Sequence, residues 1–404
     1  MRHPVRKSAA ICMAMGQTLL GGLTLFSISF VNPANADEPS DLLEKFKKQQ
    51  TVIEKQQQDI RDLRERLQKL EEGVAAEDLS PQFGLHLGVF GDISYSTKNR
   101  DNDHHTFSLG DLDLYSTANY GERLNFLAEL FIELEGNGEA EIDPERIWVG
   151  YSFNDLLTIR AGKQHSALGY WNKTYHHGKQ LFLTVNRPFF LDFEDEGGIL
   201  PVHTVGIELE GTTGFADILW RYELDLGNGP RINSIEKTLS PNNTADNNNS
   251  KQWIFRLSAR PVRLSDLTLG LSGTKYEVDS TAKTGLQELV LGVDLSYVNG
   301  TWEFISEYFR LRNSQDYAHA YYIQLGYTLY DFITPYTRYE LLDMDPNDPY
   351  FSDLQNNADR FQEIVGLRYN LHYLRSSLKV QYRHDDKKGD KTYNVLETQW
   401  SFSF

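Results

Sequence analysis

Leu396-Glu397-Thr398-Gln399-Trp400-Ser401-Phe402-Ser403-Phe404 decides the fold. Leu396, Thr398, Trp400, Phe402 and Phe404 alternate with Glu397, Gln399, Ser401 and Ser403. Successive side chains of a strand point to opposite faces, so this segment carries one apolar, aromatic face and one polar face. Such a strand meets lipid on one side and water on the other, as the wall of a membrane β-barrel does. A β-sandwich in water also alternates, but its strands are usually shorter and its outward face polar.

Working back from this segment, the same period runs to Phe83. It divides into strands near 83–98, 105–121, 124–136, 145–154, 157–166, 204–213, 215–228, 251–262, 267–279, 286–298, 301–313, 318–331, 332–345, 360–373, 374–386 and 391–404. The count is even, as single-chain bacterial barrels require. Short links (Gly121-Glu122-Arg123, Asn154-Asp155, Thr212-Thr213-Gly214, Asn299-Gly300, Tyr330-Asp331, Tyr373-Leu374) follow even-numbered strands. Longer polar links (99–104, 137–144, 167–203, 229–250, 280–285, 346–359) follow odd-numbered ones. Barrels of this kind keep short turns on the periplasmic side and long loops outside, so the first strand runs outward.

Ahead of the barrel the sequence reads as an export signal. Arg2, Arg6 and Lys7 precede an apolar stretch from Ala9 to Phe30, interrupted by Gly and Ser, and Ala34-Asn35-Ala36 supplies the small residues of a cleavage site. Residues 1–36 are expected to be a signal peptide rather than a membrane anchor. Their loss takes the net charge from −17 to −20, because three basic residues and no acids leave with them. It also removes Cys12, the single cysteine, which excludes thiolate metal sites and a catalytic cysteine. An acidic chain without a basic tract does not fit nucleic acid as a partner. The whole chain holds 22 Tyr, 22 Phe and 6 Trp at negative mean hydropathy, a pairing that suits a wall half in lipid and half in water.

From Leu42 to Leu70 the period is helical. Phe46, Ile53, Ile60 and Leu67 recur every seven residues, and Leu42, Gln49, Gln56, Leu63 and Leu70 hold the second seam position. Ser40 and Asp41 can cap the start, and Gly73 ends the pattern. The expected domain order is therefore a coiled coil at 40–72, a linker at 73–82 and the barrel at 83–404. The competing reading is a lone amphipathic helix, but the opposite face is highly charged and offers nothing to bury. Seam glutamines weaken a coil while fixing its register, so the larger oligomer contact is expected elsewhere. The fold class is all-β: a 16-stranded antiparallel transmembrane β-barrel preceded by a short periplasmic α-helical coiled coil.

Val89-Phe90-Gly91-Asp92 opens the barrel, Leu157-Thr158-Ile159-Arg160-Ala161-Gly162-Lys163-Gln164 precedes the third outer loop, and Thr334-Pro335-Tyr336-Thr337-Arg338-Tyr339-Glu340 lies late in the wall. With the aromatic strand ending in Phe404, which resembles the assembly signal of outer-membrane barrels, these stretches resemble the trimeric porins of the phosphate-selective porin O/P group and the coiled-coil-bearing DcaP-like porins. The resemblance implies a homotrimer of passive pores in the outer membrane. It does not carry over a substrate, because no match to the Arg/Lys ladder and repeated Lys loop of a phosphate-selective channel is present.

The link from Ala167 to His203 is the longest, and loops of this length are usually functional. In porins of the resembled architecture the third outer loop narrows the barrel. Here it offers Tyr170, Trp171, Lys173, His176, His177, Lys179 and Arg187, then Asp192, Glu194, Asp195 and Glu196 before Gly197-Gly198. Leu181-Phe182-Leu183 and Phe189-Phe190-Leu191 are apolar clusters able to pin the loop to the wall; without them it would read as a solvated surface loop. Alternation places Arg146, Arg160, Arg221, Arg256, Arg260, Arg338, Arg368, Lys379 and Arg383 on the lumen face, together with Asp92, Asp111, Asp113, Glu129, Glu133, Glu223, Asp294, Glu303 and Glu307. At mid-membrane depth an Arg or Lys facing lipid would cost about 2–4 kcal/mol. Each such arginine is either a structural ion pair or a lining residue. The expectation is that Arg160, Arg338, Arg368 and Lys379 face Asp192, Glu194, Asp195 and Glu196 across the narrowest point. Small hydrophilic, charged solutes are the expected cargo.

An enzyme on a barrel is the second class, but no Gly-x-Ser-x-Gly elbow or His-Glu-x-x-His is present, and His104-His105 and His176-His177 have no evident nucleophile nearby. A third reading is an envelope tether with a narrow or plugged lumen: some 30 coil residues reach about 45 Å, far enough for peptidoglycan contact. Asp343, Asp345 and Asn347 have calcium-loop spacing, but Asp348 replaces the glycine and Leu354 the closing glutamate. No cofactor or dedicated metal is expected.

Overall fold

The structure is a computed structural model that describes residues 83–97, 104–134, 140–175, 178–240, 244, 248–280, 283–313, 316–345 and 347–404. The expected signal peptide, coiled-coil seam and linker lie outside the described residues, as do His176 and His177.

Sixteen antiparallel strands close on themselves. They are β1 (Phe83–Ser96), β2 (Thr106–Tyr120), β3 (Leu124–Leu134), β4 (Ala140–Asn154), β5 (Leu157–His165), β6 (His203–Phe215), β7 (Ile218–Asn228) and β8 (Lys251–Pro261). The second half comprises β9 (Leu267–Val278), β10 (Leu286–Val298), β11 (Trp302–Asn313), β12 (Asp316–Tyr327), β13 (Ile333–Met344), β14 (Arg360–Leu371), β15 (Ser376–Lys387) and β16 (Tyr393–Ser403). Each strand pairs with its chain neighbours, and β16 returns to β1 with Phe402 opposite Gly91 and Trp400 opposite Ile93. Closure leaves no edge carrying unpaired backbone groups, the condition for a sheet to stand in lipid.

Strand β10 shows why the alternation closes a barrel. Leu289, Leu291 and Val293 are 39, 45 and 50% exposed, while Glu288, Val290 and Asp294 between them are 0, 0 and 5% exposed. The first set faces outward; the second faces the interior. Exposed Phe215, Trp253, Trp302 and Trp400 contribute aromatic residues to the outer surface.

Several boundaries shift from the sequence reading, the twelfth strand from 318–331 to Asp316–Tyr327 among them, and two of the shifts change the local structure. The turn placed at Thr212-Thr213-Gly214 lies instead at Ala216-Asp217, both at positive φ (53° and 56°), with Phe215 opposite Ile218. Positive φ at both central positions is the turn that matches strand twist, and the longer strand sets Phe215 outward at the rim. Strand β4 begins at Ala140, not Glu145, and passes through Pro144 at a bulge. The register steps from Glu129 opposite Arg146 to Leu130 opposite Pro144, leaving Glu145 as the extra residue. Proline has no N–H for the ladder, so a bulge is where a strand tolerates it.

Three of the long links carry structure of their own, the one between β13 and β14 a 3-10 turn at Phe351–Asp353. A two-residue ribbon pairs Ile232–Asn233 with Thr238–Leu239. The link between β5 and β6 contains helix α1 (Gly169–Thr174) and a single 3-10 turn at Phe189–Leu191.

Candidate functional site

The chain leaves β5 at His165 and turns into the barrel. Its side chains pack on residues whose parity faces the interior: Trp171 lies edge-on to Tyr322 of β12 at 5.8 Å, and Phe190 to Phe309 of β11 at 6.2 Å. Trp171 also meets Tyr175 and Phe182 at 4.9 and 5.1 Å between ring centroids. Leu191, Ile199, Leu200, Val290, Ile305 and Leu311 continue one buried cluster that spans loop and wall. Inward positions of β9 to β13 are thus partly apolar because they receive the loop rather than water.

A loop inside a barrel must find partners for its backbone, since an orphaned buried N–H or C=O costs about as much as a lost hydrogen bond. The wall supplies them. Near the loop's start, Ala167 N–H donates to Asp225 Oδ2 at 2.9 Å. The first N–H groups of α1, on Tyr170 and Trp171, donate to the two carboxylate oxygens of Glu307 at 2.8 Å each, and Tyr322 O–H donates to the same group at 2.7 Å. Negative charge at a helix N-terminus is favoured because its free N–H groups all point that way. Gly169 makes this approach possible: its φ is +72°, and a Cβ there would stand 2.0 Å from Glu307 Oε2.

Three cations of β13–β15 hold the middle of the loop. Arg368 donates to the carbonyls of Gln180, Leu181 and Phe182 at 2.5, 3.1 and 2.7 Å. Lys379 donates to the carbonyls of Lys179 and Thr184, the latter at 2.9 Å. Arg338 donates to Thr184 Oγ1, Asn186 O and Arg187 O at 2.7, 2.9 and 2.8 Å, and its Nε pairs with Glu340 at 2.7 Å. Glu340 in turn accepts Phe189 N–H at 2.6 Å, and Gln381 accepts Val185 N–H at 2.9 Å.

The expected opposition of four wall cations to four loop acids is corrected by this geometry. Arg338, Arg368 and Lys379 bind carbonyls, because a guanidinium or ammonium is the group best able to satisfy several at once. Arg160 lies against Glu208 and Glu210 of the neighbouring β6 and stacks on Trp148 at 4.9 Å. Lys173 reaches Glu208 and Glu223 at 2.8 and 3.1 Å. Its burial disfavours the charge, but Glu223, Glu208 and Asp225 outweigh that and raise its pKa. Lys179 lies 3.3 Å from Asp92, and Arg187 covers the Phe193 ring at 4.1 Å. Within the acidic run, Glu194 is buried and accepts the backbone N–H of His203 at 2.8 Å. Asp192 is half-buried, while Asp195 and Glu196 are exposed. Although part of Asp195 reaches solvent, the protein crowded around its carboxyl, then the charges of Glu194 and Glu145, push it up to about 6.

Glu208, Glu210, Glu340, Glu397, Gln381 and Gln399 were not among the expected lining residues, although Glu340 has the parity of Arg338 on β13, Gln381 that of Lys379 on β15, and Glu397 and Gln399 lie on the polar face of the last strand. Glu145 had no such signal, because the bulge at Pro144 reverses its parity. At the short-turn rim, among the ends of β2–β7, an open cavity of about 860 Å³ is lined by charges of both signs, among them Glu122, Arg123, Asp155, Glu210 and Arg221.

No protein-family model matches the chain, and no curated protein sequence does. Solved structures do. The outer-membrane channel DcaP of Acinetobacter baumannii superposes with a TM-score of 0.52 at 13% identity, over 81% of this chain and 99% of that one. An anion-selective porin from Comamonas acidovorans gives 0.52 at 13% identity over 80% and 100%. OmpT, an outer membrane protein of Vibrio cholerae in its trimer form, gives 0.51 at 13% identity over 80% and 99%. At these identities the likeness is one of fold: the barrel is of the porin type.

Proposed function

We propose that this chain is an outer-membrane porin through which small hydrophilic, charged solutes diffuse passively, with the loop 167–203 as its constriction. The observation that carries the reading is the seating of that loop: it is held inside a closed barrel by wall residues of β7, β11 and β13–β15, with a charged cavity at the short-turn rim. A loop built only as outer surface would not need three wall cations, two of them buried, for its carbonyls. Arg160, Lys173, Lys179, Arg187, Arg338, Arg368 and Lys379 then act chiefly by fixing the constriction's shape. Asp195 and Glu196, which reach solvent, bias passage toward cations. Export through the 1–36 signal, the 40–72 periplasmic coil and a homotrimeric assembly belong to the same proposal; the trimer form of a similarly folded protein supports the last.

The test is single-channel conductance of purified protein in planar bilayers, with reversal potentials in a KCl gradient. Large steps grouped in threes are expected. One observation favours a second reading, a tether whose lumen is plugged: the aromatic cluster around Trp171 and Phe190 occupies interior space that an open pore leaves to water. Folded protein without conductance would select that reading. Removal of residues 40–72 would then damage the envelope without changing permeability.

A further inference from the structure

The two ends of the constriction loop meet at a cluster of imidazoles and carboxylates that the pore reading does not use. His165 ends β5, His203 begins β6, and the two are direct partners across the ladder. Their rings lie 5.4 Å apart, edge to face. Glu145 joins them from β4, turned inward by the bulge at Pro144. His165, His203 and Glu145 are 6, 1 and 5% exposed. One ligand atom from each lies within 4.8 Å of the other two.

We propose that Glu145, His165 and His203 form a site for a divalent transition-metal ion of the zinc class, which clamps the two roots of the loop to β4. Two imidazoles and one carboxylate in a shielded pocket are a donor set that such ions take, with a fourth position left for water. The arrangement around His203 points the same way. Its Nδ1 lies 2.7 Å from Glu194 Oε2, and its Nε2 lies 2.5 Å from Glu145 Oε1. A charged ring gives one proton to each carboxylate; with an ion bound, the ring keeps its proton on Nδ1 toward Glu194 and the ion takes the place of the Nε2 proton that faces Glu145. Glu194 is then the outer carboxylate that fixes tautomer and ring orientation. Phe193, stacked on His203 at 5.8 Å and 16°, closes one side. Two cations lie nearby: Lys163, whose ammonium is 3.8 Å from Glu145 Oε2 and donates to Pro144 O at 3.0 Å, and Arg187, over the Phe193 ring at 4.1 Å. Lys163 is on the side of Glu145 away from His203, which faces Oε1.

The distances bracket what a metal needs. Bonds of about 2.0–2.1 Å in a tetrahedral shell set ligand atoms about 3.3 Å apart. The closest pair here must open and the widest must close, which small side-chain rotations achieve.

The experiment is titration of tag-free, chelator-stripped full-length protein with ZnCl2 by calorimetry, and with CoCl2 by visible absorption. One ion per chain is expected, with the intense cobalt band of a four-coordinate site. His165→Ala abolishes binding, Glu145→Gln abolishes or severely weakens it, and Glu194→Gln weakens it by about 10–100-fold, the usual effect of an outer-shell partner. His104→Ala, at an exposed histidine, leaves it unchanged. Heat-modifiable gel mobility checks that each variant is folded. No uptake by the unaltered protein overturns the proposal, and so does uptake that both His165→Ala and Glu145→Gln retain. His203 would then be an imidazolium shared by two carboxylates. Should the variants fail to fold, the cobalt band of the unaltered protein decides alone: a weak six-coordinate spectrum overturns the site.

Discussion

Arg338→Met is the perturbation that most directly tests whether wall cations seat the loop. Arg338 is 1% exposed and donates three hydrogen bonds to loop residues 184–187, besides its pairing with Glu340. Methionine keeps most of the length and removes every donor. Hydrogen bonds from a charged donor contribute about 1.5–3 kcal/mol each, so three give about 4–9 kcal/mol if they add. They do not add fully within one network, and removing one partner of a buried ion pair costs about 3–5 kcal/mol. A value of about 4 kcal/mol shifts the ratio of seated to unseated loop by roughly a thousandfold, at 1.4 kcal/mol per factor of ten. The barrel ladder is untouched, so the protein should stay folded while the loop lifts more often. Two readouts follow it: brief excursions to higher conductance in single-channel records, and trypsin cleavage at Lys179 or Arg187. Part of the loss comes from stranding Glu340 as a buried charge, so Arg338→Met with Glu340→Gln should recover some of the seating. Unchanged excursion frequency together with unchanged cleavage in Arg338→Met would refute the pinning argument.

Other expectations rest on separate features. Replacing Asp195 and Glu196 by Asn and Gln should move the reversal potential toward anions. The unaltered pore should do the same between pH 7.5 and 5, because a carboxyl raised to about 6 loses its charge as the pH falls through that value; Asp195→Asn should flatten this pH response. Gly169→Ala, at φ +72° with Glu307 Oε2 in the way, should loosen the loop at its first turn and show the same excursions as Arg338→Met. Leu291→Arg on the outer face should cost about 2–4 kcal/mol if that face meets the bilayer core, measured by reversible unfolding in lipid vesicles, whereas an outer face bathed in water would tolerate it.

The barrel was legible because one side of every strand must differ from the other. Leu289, Leu291 and Val293 announce their face whatever surrounds the strand, and strand number and loop parity follow from that. The loop was legible as an outlier in length and in its apolar clusters. Its pairings were not. Charges at one parity can be matched along a strand, across the ladder or to a backbone carbonyl, and only the path of the loop decides among them. Arg160 finds Glu208 and Glu210 one strand away, while Arg338 and Arg368 spend their donors on carbonyls, which carry no mark in a sequence. Glu145 was hidden for a different reason: a bulge shifts the alternation by one residue, so its own number argues for the wrong face. Pro144 beside it was the available hint.

The loop's partners also constrain the order in which the protein can be built. Val185 is held by Gln381, 196 residues further on, and Asn186 donates to Glu397, 211 residues further on. When β5 and β6 first pair, the segment between them therefore has nowhere to rest, because the strands that receive it are still unmade. Contacts so distant along the chain close late and slowly. Seating the middle of the loop therefore waits for the last strands, and a nascent barrel arrested before them would present the Phe189–Leu191 turn to whatever chaperone or protease stands nearby.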